Sequence, residues 1–308
     1  MNNRIRSLIC LLLAVATLTT LQVSAADAER TRHVLIIGID GVRPDALKAA
    51  DTPHLDKLIE QGTLAVNTDI LAPRETQGDT VSGPGWSNLL TGVWPDKHGC
   101  LDNDFKGTRY DEFPHFFTRL KESQPKAFTV SLSNWTPIDA KIVSSADLHA
   151  DFAEKDYAAA DRKMTARAVE VLAQNKPTVA FAYLGQVDES GHKHGFHPSV
   201  PEYVAAIERV DGHVGEMQQA LRERKTFAQE DWLTIVCTDH GGLGKNHGGG
   251  RQTPEIRNVF LIVSGDRAVR GITEAPTYQV DVVATALAHL GVAPKEMWKL
   301  DGKAVGLK

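Results

Sequence analysis

Five stretches of this chain are apolar almost without interruption: residues 33–39, 127–132, 177–184, 232–237 and 258–264. Runs of that length without alternation predict strands covered on both faces, as in the middle of a mostly parallel sheet. Between them, apolar positions recur at helical spacing. Residues 157–172 and 200–224 read as long amphipathic helices, the second with Tyr203, Ile207, Val210, Val214 and Met217 on one face. Thr52 and Pro53 open a further helix that Gly62 closes, and residues 86–91, 116–120 and 280–290 read as shorter ones. Beyond residue 290 the pattern reads as a polar tail. Buried strands alternating with helices predict an α/β fold, a central mostly parallel sheet sandwiched between helices. No repeat or linker interrupts it, so residues 26–308 read as a single domain.

The first residues differ in kind. Arg4 and Arg6 precede an apolar run at residues 8–21, and Val23-Ser24-Ala25 follows as a small-x-small cleavage site. That is the pattern of a secretory signal peptide over residues 1–25, shorter than the roughly 20 apolar residues of a membrane span. The expected location is the periplasm or the medium, with no membrane span after cleavage. Removing the signal deepens the formal charge from −5 to −7. Such a chain has no overall basic field for holding duplex nucleic acid. Cys100 and Cys237 remain; they form no disulfide framework, although export would permit one bridge.

Chemistry gathers where the apolar runs stop. The first run ends at Asp40-Gly41, and a carboxylate at the carboxyl end of such a strand lies where open α/β sheets bind ligands. After the run at 177–184 come Asp188 and His192, four apart around a Ser-Gly turn, so that both reach one metal from a single loop. After the run at 232–237 come Asp239 and His240, and a glycine-rich return brings His247 back toward them. Three carboxylates and three imidazoles suffice for two metal ions with three protein ligands each, leaving positions open for substrate. Zinc is the default for such a set. His194 and His197 read as rim residues. Ser82 precedes a Gly-Pro-Gly turn and the 86–91 helix, where a hydroxyl meets backbone N–H donors and the positive end of the dipole. Asn103 is a neutral donor nearby in sequence.

Four motifs in order, Gly38-Ile-Asp-Gly-Val-Arg-Pro-Asp45, Leu89-Leu-Thr-Gly-Val-Trp-Pro-Asp-Lys-His-Gly99, Val187-Asp-Glu-Ser-Gly-His192 and Thr238-Asp-His-Gly-Gly242, resemble the alkaline phosphatase superfamily. Within it the resemblance is to the type I phosphodiesterase/nucleotide pyrophosphatase branch. It implies an alkaline phosphatase-like fold with Asp188, His192 and His247 on one zinc, and Asp40, Asp239 and His240 on the other. It also implies Ser82 as the nucleophile, forming a covalent phospho-serine, with Thr80 the weaker alternative. Asn103 falls where that branch contacts a phosphoryl oxygen. The expected function is that of an exported two-metal hydrolase of small phosphodiester or pyrophosphate substrates. A phosphomonoesterase or phosphonate hydrolase on the same site is the alternative, and an inactive metal-binding protein a weaker one. Trp86 stands where a sulfatase would need arginine. No arginine adjoins Ser82 to clamp a dianionic monoester unless Arg43 or Arg74 folds in, which favours diesters.

Overall fold

Apolar runs that need cover on both faces find it in three layers. The computed structural model describes residues 30–308, so the expected signal peptide lies outside the described residues. The chain begins with β1 (Thr31–Ile39), α1 (Pro44–Ala49), α2 (Pro53–Gln61) and β2 (Gly62–Asp69). Three helices follow, α3 (Ser82–Thr91), α4 (Pro95–His98) and α5 (Phe116–Ser123), and then β3 (Thr129–Ser133), β4 (Leu148–Asp151) and α6 (Tyr157–Gln174). Next come β5 (Val179–Leu184), α7 (Gln186–His194), α8 (Pro201–Arg222) and β6 (Glu230–Cys237). The chain closes with α9 (Pro254–Arg257), β7 (Asn258–Ser264), β8 (Gly271–Thr273), β9 (Thr277–Tyr278) and α10 (Asp281–His289).

The strands form one sheet in the order β4-β3-β5-β1-β6-β7-β2-β8, with β9 also on β2. All neighbours are parallel except at β7, which runs antiparallel to both β6 and β2. β1 is the centre: it pairs with β5 on one side and β6 on the other, in registers that bring Ile39 opposite Leu184 and Gly38 opposite Cys237. Three strands that end beside catalytic-type residues therefore end side by side.

Alternate residues of β1 serve different cores. Val34 and Ile36 pack with Trp86, Leu89, Phe116, Phe117 and the α10 valines on one face. Leu35, Ile37 and Ile39 pack with Leu55, Met164, Tyr203 and Val210 on the other. All five β1 side chains are effectively inaccessible to water. Burying each contributes roughly 1.5–3 kcal/mol.

The five predicted strands are present, each within about two residues of its expected ends. β2, β4, β8 and β9 were not predicted; they are short or polar, and β4 lies at the sheet edge with half-exposed residues. The tail beyond residue 290 is not merely polar: Trp298 and Val305 are buried, and Asp301 accepts from the Trp94 N–H and from Lys97. Cys100 and Cys237 are both buried and free.

One buried ion pair ties three elements at the far end of the sheet. Arg224 donates to both Glu230 oxygens, at 2.7 and 2.9 Å, and to the carbonyls of Leu172 and Asn175. Thr226 and the Trp232 indole complete the shell around Glu230. Burial alone would push the Glu230 carboxyl up, but the Arg224, Thr226 and Trp232 donors outweigh it and hold it at about 2. Replacing Glu230 by Gln leaves Arg224 buried without its counter-charge and should cost about 3 kcal/mol. Because the folded-state value is depressed, this contribution is complete above the ordinary carboxyl range and is lost as pH falls towards 2. Urea titrations of wild type and Glu230→Gln should therefore differ by a constant amount above about pH 5 and converge in acid.

Candidate metal centre and nucleophile

Asp40 is the first residue past β1. Its Oδ2 accepts from the Tyr183 hydroxyl at 2.6 Å and the Trp86 indole at 3.0 Å. Its Oδ1 is buried with no donor at all. Asp239, two residues past β6, repeats the arrangement: Oδ1 accepts from the Gly41 N–H at 3.3 Å, and buried Oδ2 has no donor. His240 completes this group, its Nε2 lying 3.2 Å from Asp239 Oδ2, 3.5 Å from Asp40 Oδ1 and 3.4 Å from Ser82 Oγ.

The second group is built from α7 and the return loop. Asp188 and His192 are not on a loop, as their Ser-Gly spacing suggested; they stand one helical turn apart on α7. His192 Nε2 lies 3.3 Å from Asp188 Oδ2 and 3.0 Å from His247 Nε2. Asp188 Oδ1, 3.6 Å from His247 Nε2, is another buried oxygen without a donor. The groups adjoin: the His240 and His247 rings stack with centroids 3.6 Å apart. Gly41, at φ +70°, permits this crowding, since a Cβ there would lie 2.8 Å from the Asp188 backbone.

The two trios, Asp40/Asp239/His240 and Asp188/His192/His247, each bring their ligand atoms within 4.8 Å of one another. The tautomers fit a cation. Nδ1 of His192, His240 and His247 lies 2.9 Å from the carbonyls of Lys245, Gly241 and Thr80 respectively. A carbonyl only accepts, so Nδ1 carries the hydrogen and Nε2 is the nitrogen left for a metal. Three carboxylate oxygens without a donor thus converge with three imidazole Nε2 atoms, whose nearest polar neighbours are one another, the carboxylates and Ser82 Oγ.

Electrostatics point the same way. Burial, and after it the Asp188 charge, lifts the Asp40 carboxyl to about 6, and burial with both neighbouring carboxylates carries Asp239 well above its usual range. For Asp188, burial is outweighed by the His192 hydrogen bond and the charges of His240 and His247, so it stays low. The Asp188 contact raises His192 to about 9, whereas burial and the charge of His240 press His247 down to about 4. Negative charge is concentrated here beyond what the imidazoles neutralise.

Ser82 does not precede a turn; it is the first residue of α3, and Gly83-Pro84-Gly85 form the opening turn, where Pro forfeits no helical hydrogen bond. Gly85 lets this turn lie against Asp239, which a Cβ would approach to 2.8 Å. Asn103 Oδ1 accepts from the Gly83 N–H at 2.7 Å, which leaves its exposed amide NH2 to donate elsewhere beside Ser82. Thr80 is otherwise engaged: its hydroxyl donates to the His247 carbonyl at 2.5 Å and accepts from the Gly250 N–H at 2.9 Å. His194 and His197 are exposed, and neither belongs to the two groups.

Neither arginine folds in. Arg43 spends its guanidinium on Asp45 and on the carbonyls of Phe196 and Gly242. Arg74 pairs on the surface with Asp96 and Asp301. Sequence reasoning missed the groups that hold these carboxylates in place: Trp86 and Tyr183 on Asp40, and Gln279, whose amide donates to the Asp239 backbone carbonyl at 2.5 Å. For Trp86 and Tyr183, nearness in sequence to Ser82 and to the Val187–His192 motif could have signalled them; nothing local signals Gln279.

A mostly parallel sheet between helix layers, with two Asp and His groups that could hold metal ions beside the carboxyl ends of adjoining strands and a hydroxyl on a neighbouring helix, fits the alkaline phosphatase-like class. The model of the type I phosphodiesterase / nucleotide pyrophosphatase family matches residues 34–246, and the chain belongs to that family. The bovine (Bos taurus) bis(5'-adenosyl)-triphosphatase ENPP4 is 24% identical over 228 residues, 68% of this chain and 47% of that protein. The chain thus spans about half the length of the curated relatives it matches. Murine ectonucleotide pyrophosphatase/phosphodiesterase 5 superposes with a TM-score of 0.62 at 16% identity, over 85% of this chain and 95% of that one. An inactive variant of that protein has been solved in complex with AMP. A phosphonate monoester hydrolase from Silicibacter pomeroyi gives a TM-score of 0.64 at 16% identity, over 89% and 76% of the two chains. Among the described residues no helix is long and apolar enough to cross a membrane.

Metal removal is a test that needs no substrate. With zinc at a thousand times its dissociation constant, each bound ion should stabilise the folded state by about 4 kcal/mol. Chelation should therefore lower the melting temperature, zinc should restore it, and Asp239→Asn should respond less than wild type. A melting temperature indifferent to zinc would mean that these six side chains hold no ion.

Proposed function

We propose that this protein is an exported two-metal hydrolase that cleaves small phosphodiester or pyrophosphate substrates through a phospho-serine at Ser82. The observation that carries the reading is the convergence of three donor-less carboxylate oxygens and three imidazole nitrogens beside the Ser82 hydroxyl. Asp40, Asp239 and His240 would hold one divalent ion and Asp188, His192 and His247 the other, with zinc suited to the donors. When bound, such ions supply Lewis acidity that polarises a phosphoryl oxygen and makes a neighbouring hydroxyl easier to deprotonate.

The chain's own residues do the rest. Ser82 Oγ attacks phosphorus as the bond to the leaving oxygen breaks, and water later cleaves the Oγ–P bond. The opening turn of α3 directs the positive end of its dipole at the phosphoryl group. Asn103, oriented by the Gly83 N–H, donates its amide to a non-bridging oxygen. The commitment of Arg43 and Arg74 elsewhere favours a singly charged diester over a dianionic monoester. The export pattern of residues 1–25 supports action in the periplasm or outside the cell by a single catalytic domain, residues 26–308.

Two measurements test this on zinc-loaded protein. Bis-p-nitrophenyl phosphate should be cleaved at least about tenfold faster than p-nitrophenyl phosphate, a difference of some 1.4 kcal/mol in barrier. The reverse preference would make the protein a phosphomonoesterase. Ser82→Ala should lower turnover by roughly three orders of magnitude or more. Retained turnover would remove Ser82 from the role of nucleophile.

A further inference from the structure

The glycine-rich return carrying His247 is a poor platform for a metal ligand unless something restrains it. Residues 243–246 and Gly249 are exposed, Gly244 and Gly249 sit at positive φ, and three consecutive glycines follow His247. Fixing such a segment is entropically costly. Around His247 the restraint comes from the irregular segment just before the nucleophile candidate. Thr80 meets the return three times: its hydroxyl donates to the His247 carbonyl, the same hydroxyl accepts from the Gly250 N–H, and its own carbonyl accepts from His247 Nδ1. Its neighbours extend the seam, with Asp79 Oδ1 accepting from the Gly249 N–H at 2.7 Å and Arg251 donating to the Gly78 carbonyl.

We infer that Thr80 is a positioning residue: its buried hydroxyl latches the return loop so that His247 meets Asp188 and His192 in ligand geometry, two residues ahead of Ser82. The inference rests on the two-metal reading above. One hydroxyl satisfies a donor and an acceptor of the same loop, which a methyl group of equal size cannot do. Because the latch bears on His247 alone among the six ligands, its loss falls on the Asp188/His192/His247 position. The Asp40/Asp239/His240 position keeps its separate supports from Trp86, Tyr183, Gly41 and Gln279.

The experiment is equilibrium dialysis of the full chain against buffered zinc, for wild type, Thr80→Val and Thr80→Ser, with the melting temperature of each metal-free protein as a control. Thr80→Val should retain one ion at wild-type affinity and bind the second about 10–100-fold more weakly, the usual effect of removing a partner of a ligand. Thr80→Ser, which keeps the hydroxyl, should restore the second ion to within a few-fold of wild type. Two ions at wild-type affinity in Thr80→Val would overturn the inference, as would equal loss in the valine and serine variants. Loss of both ions with a collapsed metal-free melting temperature would overturn it too, making Thr80 a packing residue. Wild-type protein that binds fewer than two ions would instead refute the two-metal reading, a failure visible before any variant is made.

Discussion

Carboxylates packed together out of water are the constraint around which this structure is arranged. Asp40 and Asp239 are wholly buried and Asp188 is partly buried, and each turns one oxygen into a space where no donor meets it. An uncompensated buried charge costs several kcal/mol, so a fold that keeps three such oxygens together has a cation as its natural complement. The remaining oxygens are tied down: Tyr183 and Trp86 on Asp40, Gly41 on Asp239. Asp40 and Asp239 thereby each have one oxygen fixed and one offered.

The sheet explains why this crowding is possible. β1 lies between β5 and β6, all parallel, so their carboxyl ends open onto the same few ångströms. The loops around these strand ends leave backbone carbonyls free to fix side chains, and Thr80, Gly241 and Lys245 use theirs to orient the imidazoles. The two cores on either side of the sheet hold these ends rigid, which a site with tolerances of a fraction of an ångström requires. Core and site share side chains: Trp86 fills the first core with its rings while its N–H serves Asp40.

Much of this was legible in advance. The buried strands declared themselves because both faces are covered; Asp40, Asp239 and His240 lie just past strand ends and His247 on the return, as their spacing implied, whereas Asp188 and His192 lie on α7. The resemblance at superfamily and family level holds. What was not legible falls into two kinds. Local geometry was misjudged where glycine or serine suggested a turn: Ser190-Gly191 lies inside α7, and Gly83-Pro84-Gly85 opens α3. There the packing of neighbouring elements overrides the weak helix preference of glycine. The second kind is contacts between residues far apart in sequence, such as Gln279 on Asp239 or Thr80 on the His247 loop, which no local pattern encodes.

The central claim is that these six side chains form two separate three-ligand positions. Anomalous diffraction from zinc-loaded crystals, recorded on both sides of the zinc absorption edge, addresses it directly. The account predicts two peaks, one among Asp40, Asp239 and His240 and one among Asp188, His192 and His247. A single peak shared by both trios, or none, would contradict it.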